Sequence, residues 1–255
     1  TIKLLLELAD GEGVECVAIP AGDRLTACVS TQVGCAVGCV FCATPIGGAQ
    51  GKPRGGLKRD LTSGEIVEQV LHLQAAAGRR VTNVVFMGMG EPLANYDATV
   101  AAVAAMIDPD RLGLSARHIT ISTVGLPKQI RRLAGEDIPL TLAISLHAPN
   151  DALRRRLVPL AARHSIADIV AAAADFYEAR HREVTIEYVL LAGVNDSPAQ
   201  ADGLAAVARQ LRCNVNVIRY NRVDGLEFAA PPERGHGLPA LPPPAFIPPP
   251  AEAIW

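Results

Sequence analysis

Three cysteines, Cys35, Cys39 and Cys42, lie in the pattern Cys-x3-Cys-x2-Cys. Closely spaced thiolates can bind one metal centre, and three of them on a cubane [4Fe-4S] cluster leave one iron without a protein ligand. That iron is free to bind a substrate or cofactor, whereas an electron-transfer cluster is normally closed by four cysteines. The spacing therefore predicts an iron-sulfur centre with an open coordination position.

A structural zinc site and buried free thiols are the alternatives for these cysteines. Structural zinc takes four ligands. The nearest histidine in sequence is His72, so only Cys28 could supply a fourth ligand locally. Six cysteines in 255 residues are too few for a disulfide scaffold, and their clustering is typical of metal binding or catalysis in a reducing compartment. A zinc or redox binding module without enzymatic activity stays open as an alternative.

Several further motifs follow the cysteines in a fixed order. They are Cys28-Val-Ser-Thr-Gln-Val-Gly-Cys35, Cys39-Val-Phe-Cys42-Ala-Thr, Gly64-Glu-Ile-Val, Phe86-Met-Gly-Met-Gly-Glu-Pro-Leu93, Ile144-Ser-Leu-His-Ala-Pro-Asn150 and Thr185-Ile-Glu-Tyr-Val189. This set resembles the radical S-adenosylmethionine superfamily. Within it, the chain is similar to the bacterial dual-specificity RNA methyltransferases, which methylate C2 of an adenine in 23S rRNA and in some tRNAs. A sister family that methylates the same adenine at C8 shares much of the pattern.

The resemblance implies two cofactors, a [4Fe-4S] cluster on the three cysteines and S-adenosylmethionine. It implies 23S rRNA and tRNA as substrates and an electron donor such as a flavodoxin. The residues that would hold S-adenosylmethionine are Gly90, Glu91, Ser122, Ser145, Leu146, His147 and Asn221. Taken alone, Gly-x-Gly-Glu-Pro is more often a turn before a helix, and His147 is more often a core or capping residue. A carboxylate nevertheless suits the cofactor's ammonium group, and hydroxyl and amide groups suit its ribose and adenine.

Two catalytic residues also follow from the resemblance. Glu15 would act in proton transfer, and Cys28 would be the thiol that resolves a covalent adduct with the adenine. Without the resemblance, Glu15 would be a solvated charge on an edge and Cys28 a buried structural thiol.

The family's methyl-carrying cysteine is expected near the end of the catalytic domain. Beyond Phe228 the chain has a proline-rich segment without cysteine, and Cys213 is the only cysteine after the cluster motif. We interpret Cys213 as a small core residue. The family's N-terminal helical domain is also absent from these residues. An alternative function is therefore a radical S-adenosylmethionine enzyme, or an incompetent homologue, that cleaves the cofactor without methylating RNA.

Six strand-like segments alternate with helical patterns along the chain. The strands are predicted at Leu25–Ser30, Val81–Met87, His118–Thr123, Leu140–Leu146, Val184–Leu191 and Val215–Tyr220, and the helices at Thr62–Ala77, Ala98–Ile107, Pro127–Leu133, Ser165–Ala179 and Pro198–Leu211. Such alternation favours parallel βαβ units. The predicted fold is α/β, a partial (β/α)6 barrel of the radical S-adenosylmethionine type. The candidate residues follow the strands, so they should meet at one mouth.

We divide the chain into three parts. Residues 1–24 form an N-terminal edge or hairpin, with Pro20, Ala21 and Gly22 as a turn, and residues 25–228 form the core domain. Residues 229–255 are a proline-rich tail, which we expect to be extended or disordered. A ligand for a proline-binding domain is the alternative for this tail.

Charge and hydropathy exclude several other classes of protein. The net charge is −2, from 24 basic and 26 acidic residues, so no global field attracts nucleic acid or an anionic membrane. RNA contacts would depend on two local groups, Lys52 to Arg59 and Arg154 to Arg156. Either group could equally be a solvated segment. We find no secretion signal and no membrane span, which predicts a cytoplasmic protein.

Overall fold

The computed structural model describes residues 1–44 and 56–232. The strands are β1 (Ile2–Glu7), β2 (Gly13–Ala21), β3 (Arg24–Cys28), β4 (Gln32–Val33), β5 (Arg59–Asp60), β6 (Asn83–Phe86), β7 (Ile119–Thr123), β8 (Thr141–Ser145), β9 (Val184–Leu190) and β10 (Cys213–Arg219). The α-helices are α1 (Ser63–Ala77), α2 (Tyr96–Ile107), α3 (Pro127–Gly135), α4 (Asp151–Leu157), α5 (Ile166–Arg180) and α6 (Pro198–Ala208).

The main sheet has eight strands in the order β1-β2-β3-β6-β7-β8-β9-β10. From β3 to β10 all neighbouring strands pair in parallel, and β1, β2 and β3 pair antiparallel. The predicted α/β class is confirmed, with six parallel strands in the order expected of a partial (β/α)6 barrel. The N-terminal hairpin extends this sheet at its β3 edge.

One face of the sheet packs on the helices and forms the main core. Alternate residues of each strand, such as Val84 and Phe86 of β6 and Ile119 and Ile121 of β7, join buried side chains of α1, α2, α3 and α5. The side chains between them point to the opposite, concave face, because successive strand residues alternate. That face carries polar groups, including Ser122 and Ser145, so the inner face of the sheet can bind a polar ligand.

Capping residues lie at the helix ends where the sequence predicts them. Thr62 and Glu65 form a capping box at α1, which ends at Gly78 in the left-handed conformation with φ +63°. Ser165 and Asp168 form a second capping box at the start of α5.

The structure corrects two local predictions. Strand β2 continues through Pro20 and Ala21, and the chain turns at Gly22, where φ is +56°. Arg154 to Arg156 were predicted as a basic surface segment, but they belong to the short helix α4, capped by the side chain of Asn150. In this helix Arg154 faces the protein interior and is 1% exposed, so it cannot contact an RNA phosphate.

No helix in the two described stretches is long and apolar enough to cross a membrane. The tail prediction falls largely outside the described residues, which end at residue 232.

Candidate active site

The loop with three cysteines begins after β4 and lies against α4. The N–H of Val40 donates to the carbonyl of Leu157 at 3.0 Å. Cys35 and Cys39 are half-buried and pack in the same apolar cluster as Leu157. The N–H of Cys42 donates to the carbonyl of Cys39 at 3.2 Å, so these two cysteines lie on a single turn. The loop is therefore held in place by contacts with the helix that follows β8.

The cysteine side chains are close enough to interact electrostatically. Burial raises the pKa of Cys39 well above its ordinary value, and the neighbouring Cys42 and Cys35 raise it further. Burial also raises the pKa of Cys35 to about 11. Both thiols hold their protons at neutral pH, so metal binding must release those protons.

The loop offers three thiols as donors to a metal centre. Within residues 1–44 and 56–232, no three or more His, Cys, Asp or Glu side chains converge as a site for one ion. In a [4Fe-4S] cluster each cysteine binds a different iron, so three neighbouring thiols can stand apart around it. A tetrahedral zinc site needs four converging ligands. Three half-buried thiols on one loop fit the cluster.

Gly90 lies where two loops of the site approach closely. Its φ is +102°, and a side chain there would lie 2.6 Å from Cβ of Gln32 and 2.8 Å from the hydroxyl of Thr31. Glycine is the residue that accepts both constraints. The Thr31 hydroxyl is buried and has no hydrogen-bond partner among the described residues. Since an unpaired buried hydroxyl is unfavourable, this atom suits a polar ligand bound beside Gly90.

Glu91 is buried, and its carboxylate connects two loops. Oε1 accepts the N–H of Leu93 at 3.0 Å, and Oε2 accepts the N–H of Val124 at 2.8 Å. Its own N–H donates to the side chain of Gln32 at 2.8 Å. Burial raises the pKa of Glu91, while these N–H groups and the hydroxyl of Thr123 oppose the increase. Glu91 thus joins the segments after β6 and β7, and with three donors on its two oxygens the carboxylate keeps one further lone pair for a ligand.

Two of the predicted serines meet on the inner face of the sheet. The hydroxyl oxygens of Ser122 on β7 and Ser145 on β8 are 3.2 Å apart. Both residues lie at the carboxyl ends of their strands, on the side away from the helix-packed core. This pair offers a hydroxyl surface of the kind that binds ribose or carboxylate oxygens.

His147 adopts a left-handed backbone conformation, with φ +57°, and is buried. Its Nδ1 accepts the N–H of Val189 at 3.1 Å. Burial lowers the pKa of His147 to about 3, with a smaller contribution from Arg154, so the imidazole is neutral. Because Nδ1 is an acceptor, the ring proton resides on Nε2, which is available as a donor. The ring also contacts Phe41 of the cysteine loop edge-on, with centroids 5.0 Å apart.

Leu146 and Asn221 complete the predicted cofactor set. The side chain of Leu146 is 2% exposed and packs in the apolar cluster of β9 and α6, so only its main chain faces the site. Its N–H donates to the carbonyl of Glu187 at 3.0 Å. Asn221 is half-buried and lies two residues after the end of β10. All predicted cofactor residues therefore follow or end strands at the same edge of the sheet.

Glu15 is on β2 at the same edge. Its carboxylate forms a salt bridge with Lys3 at 2.8 Å, and both side chains are about half-exposed, at 45% and 51%. The carbonyl of Glu15 accepts a hydrogen bond from the hydroxyl of Ser30 at 2.6 Å. This carboxylate is open to solvent and to any substrate that covers the edge.

Cys28 ends β3 on the concave face. It pairs with Val17 of β2, and it packs with Ile19, Val85 and Met87. Side chains alternate along β2, so Glu15 shares this face and lies diagonally from Cys28, at a typical Cβ separation of roughly 7–8 Å. Burial raises the pKa of Cys28 to about 12, so this thiol is protonated at neutral pH.

Cys213 lies in a different part of the molecule. It begins β10, at the amino edge of the parallel strands, and its Sγ contacts the carbonyl of Ala208 at 3.5 Å. The other candidates lie at the carboxyl edge. This position agrees with the interpretation of Cys213 as a core residue.

Two charged residues of the site differ from the prediction, because Arg154 was expected at the surface and Glu187 was given no role. Arg154 is buried beneath the loop after β8 and donates to the main-chain oxygens of Ser145 and Leu146. Glu187 lies on β9 opposite Ser145 and accepts a hydrogen bond from Asn216 at 2.7 Å. An acidic residue within the otherwise apolar segment Val184–Leu191 was the available signal for Glu187.

The basic residues near the site differ in whether they form salt bridges within the protein. Arg59 is engaged by Asp10 and Glu65, and Lys58 by Glu12. Arg155 and Arg156 are exposed on α4. Lys52 and Arg54 lie outside the described residues.

Comparison with known families identifies the part of the chain that holds this site. The family model of the radical SAM superfamily matches residues 29–202. This range contains the three cysteines, the Gly90–Glu91 turn, both serines and His147.

Two curated relatives are similar over most of the chain. Each is named "Probable dual-specificity RNA methyltransferase RlmN". The protein of Thermosynechococcus vestitus is 48% identical over 92% of this chain, and that of Synechococcus elongatus is 50% identical over 91%. The chain spans 66% and 63% of the length of these relatives.

A solved structure is similar throughout the same region. It is the crystal structure of a radical SAM methyltransferase from Sphaerobacter thermophilus, with a TM-score of 0.84 and 46% sequence identity. The match covers 91% of this chain and 66% of that protein.

Proposed function

This chain belongs to the radical SAM superfamily, and we propose that it methylates C2 of an adenine in RNA. Its cofactors are S-adenosylmethionine and a [4Fe-4S] cluster. The similarity to two curated RNA methyltransferases supports an RNA substrate. Within that class we propose 23S rRNA and tRNA, with a low-potential electron donor such as a flavodoxin. The six free cysteines suit the reducing conditions of the cytoplasm, which we propose as its location.

We assign the cluster to Cys35, Cys39 and Cys42. The loop fixes two of these thiols on one turn and holds them against α4. A cluster held by these cysteines, with one iron left open, would supply one-electron chemistry to S-adenosylmethionine.

Seven residues are proposed to hold S-adenosylmethionine at the edge of the sheet. Glu91 would accept a hydrogen bond from the ammonium group through its remaining lone pair, beside the main chain of Gly90. Ser122 and Ser145 would bind further polar groups of the cofactor. His147 would donate through Nε2, Leu146 would contribute main-chain atoms, and Asn221 would contribute its side-chain amide.

Glu15 and Cys28 are proposed to act on the adenine. The thiol of Cys28 is protonated at neutral pH, so it needs a base before it can act as a nucleophile. Glu15 lies on the same face of the antiparallel strands, where its carboxylate can take a proton from the substrate or through water. Lys3 orients that carboxylate by the 2.8 Å salt bridge.

RNA must reach these groups with its target base exposed. An adenine inside folded RNA has to leave its stack to enter such a mouth. Arg155 and Arg156 are exposed on α4, beside the cysteine loop, and we propose that they contact phosphates.

One observation is the main support for the proposal. The cysteine loop and the predicted cofactor residues lie together at one edge of the parallel sheet. The test is anaerobic reconstitution with iron and sulfide, followed by reduction in the presence of S-adenosylmethionine and an unmodified 23S rRNA fragment. Mass spectrometry then follows 5'-deoxyadenosine and methyladenine together. Cofactor cleavage that depends on each of the three cysteines, together with formation of 2-methyladenine in the RNA, supports the proposal. Stoichiometric zinc without iron contradicts it.

A further inference from the structure

Arg154 is a buried cation with a polar environment made of main-chain groups. Its side chain is 1% exposed and is among the largest that are fully buried. Nε donates to the carbonyl of Leu146 at 3.2 Å, and Nη2 donates to the carbonyls of Ser145 and Val124. These carbonyls lie at or after the carboxyl ends of β7 and β8. The guanidinium therefore lies directly behind the proposed cofactor residues.

The salt bridges found within the described residues do not include Arg154. A guanidinium held only by carbonyl dipoles carries an uncompensated charge, and burying such a charge is unfavourable unless an anion lies nearby. Asp151 is on the same helix, but one of its oxygens accepts the N–H of Ile166 at 2.8 Å. Glu91 interacts electrostatically with Arg154, and hydrogen bonds join the two through Val124, whose N–H donates to Glu91 and whose carbonyl accepts from Arg154.

The cysteine loop is a third neighbour from which negative charge can come, beside Asp151 and Glu91. It is hydrogen-bonded to the last residue of α4, and Cys39 packs against the apolar cluster that includes Leu153 and Leu157, on either side of Arg154 in sequence. Among the electrostatic interactions that favour the charged form of Arg154, the one with Cys39 is the largest. When thiolates bind a cluster, their negative charge is fixed at this loop.

We propose that Arg154 is the buried counter-charge of the iron-sulfur cluster and raises its reduction potential. This inference rests on the proposed function, because it requires the cluster. A cluster with three thiolates carries net negative charge, which increases when it accepts an electron. A fixed cation in a poorly solvated position stabilises the reduced form more than the oxidised form. Arg154 is thus a positioning and tuning residue, since it reaches the cluster only through the electric field and the loop.

The experiment is an anaerobic redox titration of the reconstituted protein, followed by electron paramagnetic resonance. Arg154→Met and Arg154→Gln remove the charge, and the glutamine keeps an N–H donor for the carbonyls. Arg154→Lys keeps the charge. Arg155→Met is the matched control, because it removes an exposed charge from the next position of the same helix. Iron and sulfide contents and circular dichroism establish that each variant is folded and loaded.

At a fixed applied potential we expect the ratio of reduced to oxidised cluster to fall at least tenfold in both neutral variants. For one electron, tenfold corresponds to a decrease of about 59 mV in the midpoint potential. Arg154→Lys should retain most of the wild-type ratio, and Arg155→Met should match the wild type.

A loaded Arg154→Gln or Arg154→Met protein with the wild-type potential would overturn the inference. An equal decrease of the midpoint potential in Arg155→Met would also overturn it, because the loss of any positive charge from α4 would then have the same effect. If the wild-type protein itself takes up no cluster, the proposed function fails first. The two failures are therefore distinguishable.

Discussion

Glu187 lies directly opposite Ser145 in the parallel pairing of β8 and β9. Its carboxylate is 5% exposed and accepts one hydrogen bond, from Nδ2 of Asn216 at 2.7 Å. Burial raises the pKa of Glu187 to about 7, although the bond from Asn216 opposes the increase. A protonatable carboxyl group thus lies on the inner face of the sheet, beside a proposed cofactor residue.

The first prediction concerns stability against pH. The folded protein keeps a proton on Glu187 to about pH 7, whereas the unfolded chain loses it near 4.5. The folded state therefore binds more protons in this window, and its stability falls as pH rises through it. Between about pH 5 and pH 8 the wild type should lose roughly 2.5 kcal/mol relative to Glu187→Gln. Urea unfolding at both pH values measures this difference.

Glu183→Gln is the matched control for that measurement. Glu183 also accepts a hydrogen bond from an asparagine, Asn214, at 3.3 Å, but it is exposed. It should behave as the wild type does. A Glu187→Gln protein whose stability changes with pH in parallel with the wild type would contradict the prediction.

The second prediction separates two roles of Glu91, one in the stability of the fold and one in binding S-adenosylmethionine. Glu91→Gln keeps the shape of the side chain, but it replaces one acceptor oxygen with a donor, so the N–H of Leu93 or Val124 loses its partner. Unfolding should become easier by about 1–3 kcal/mol. The affinity for S-adenosylmethionine should fall about tenfold or more, because a charge-assisted hydrogen bond is also lost. Iron content should stay unchanged.

Calorimetry on the loaded protein and denaturant titration test these two effects separately. Unchanged affinity in a folded, iron-loaded Glu91→Gln protein would remove Glu91 from the cofactor site and leave it a structural role alone.

The third prediction uses the reactivity of the six cysteines. Cys16 and Cys28 are buried, whereas Cys35, Cys39, Cys42 and Cys213 are half-buried. In the apoprotein we expect iodoacetamide to modify the four half-buried thiols faster than the two buried ones, as followed by mass spectrometry of peptides. Reconstitution should protect the three loop cysteines and leave the rate of Cys213 unchanged. Protection of Cys213, or continued modification of Cys39, would contradict the assignment of ligands.

The parts of this fold that depend on residues close together in the chain could be predicted from the sequence. Thr62 with Glu65, Ser165 with Asp168 and Ser197 before Pro198 each start a helix, because their side chains satisfy free N–H groups at that point. The six parallel strands were predicted for a similar reason, since β-branched runs that are buried on both faces form such strands.

Arg154 and Glu187 could not be predicted in the same way. A charged residue is normally exposed, and only the packing of α4 under the loop after β8 removes Arg154 from water. The three arginines of α4 look alike in sequence, yet the helix buries one and exposes two. The hydrogen bond from Val124 to Glu91 could not be predicted either. It joins residues 33 positions apart, and its donor is a main-chain N–H group that every residue type except proline has.

The most direct measurement is the amount of 5'-deoxyadenosine formed from S-adenosylmethionine by the reduced, anaerobically reconstituted protein, together with its iron and sulfide content. We expect one [4Fe-4S] cluster per chain and cleavage of the cofactor. Replacement of Cys35, Cys39 or Cys42 by alanine should abolish both, whereas Cys213→Ala should leave both unchanged. A full cluster in Cys39→Ala, zinc in place of iron, or a loaded wild-type protein that forms no 5'-deoxyadenosine would contradict this expectation.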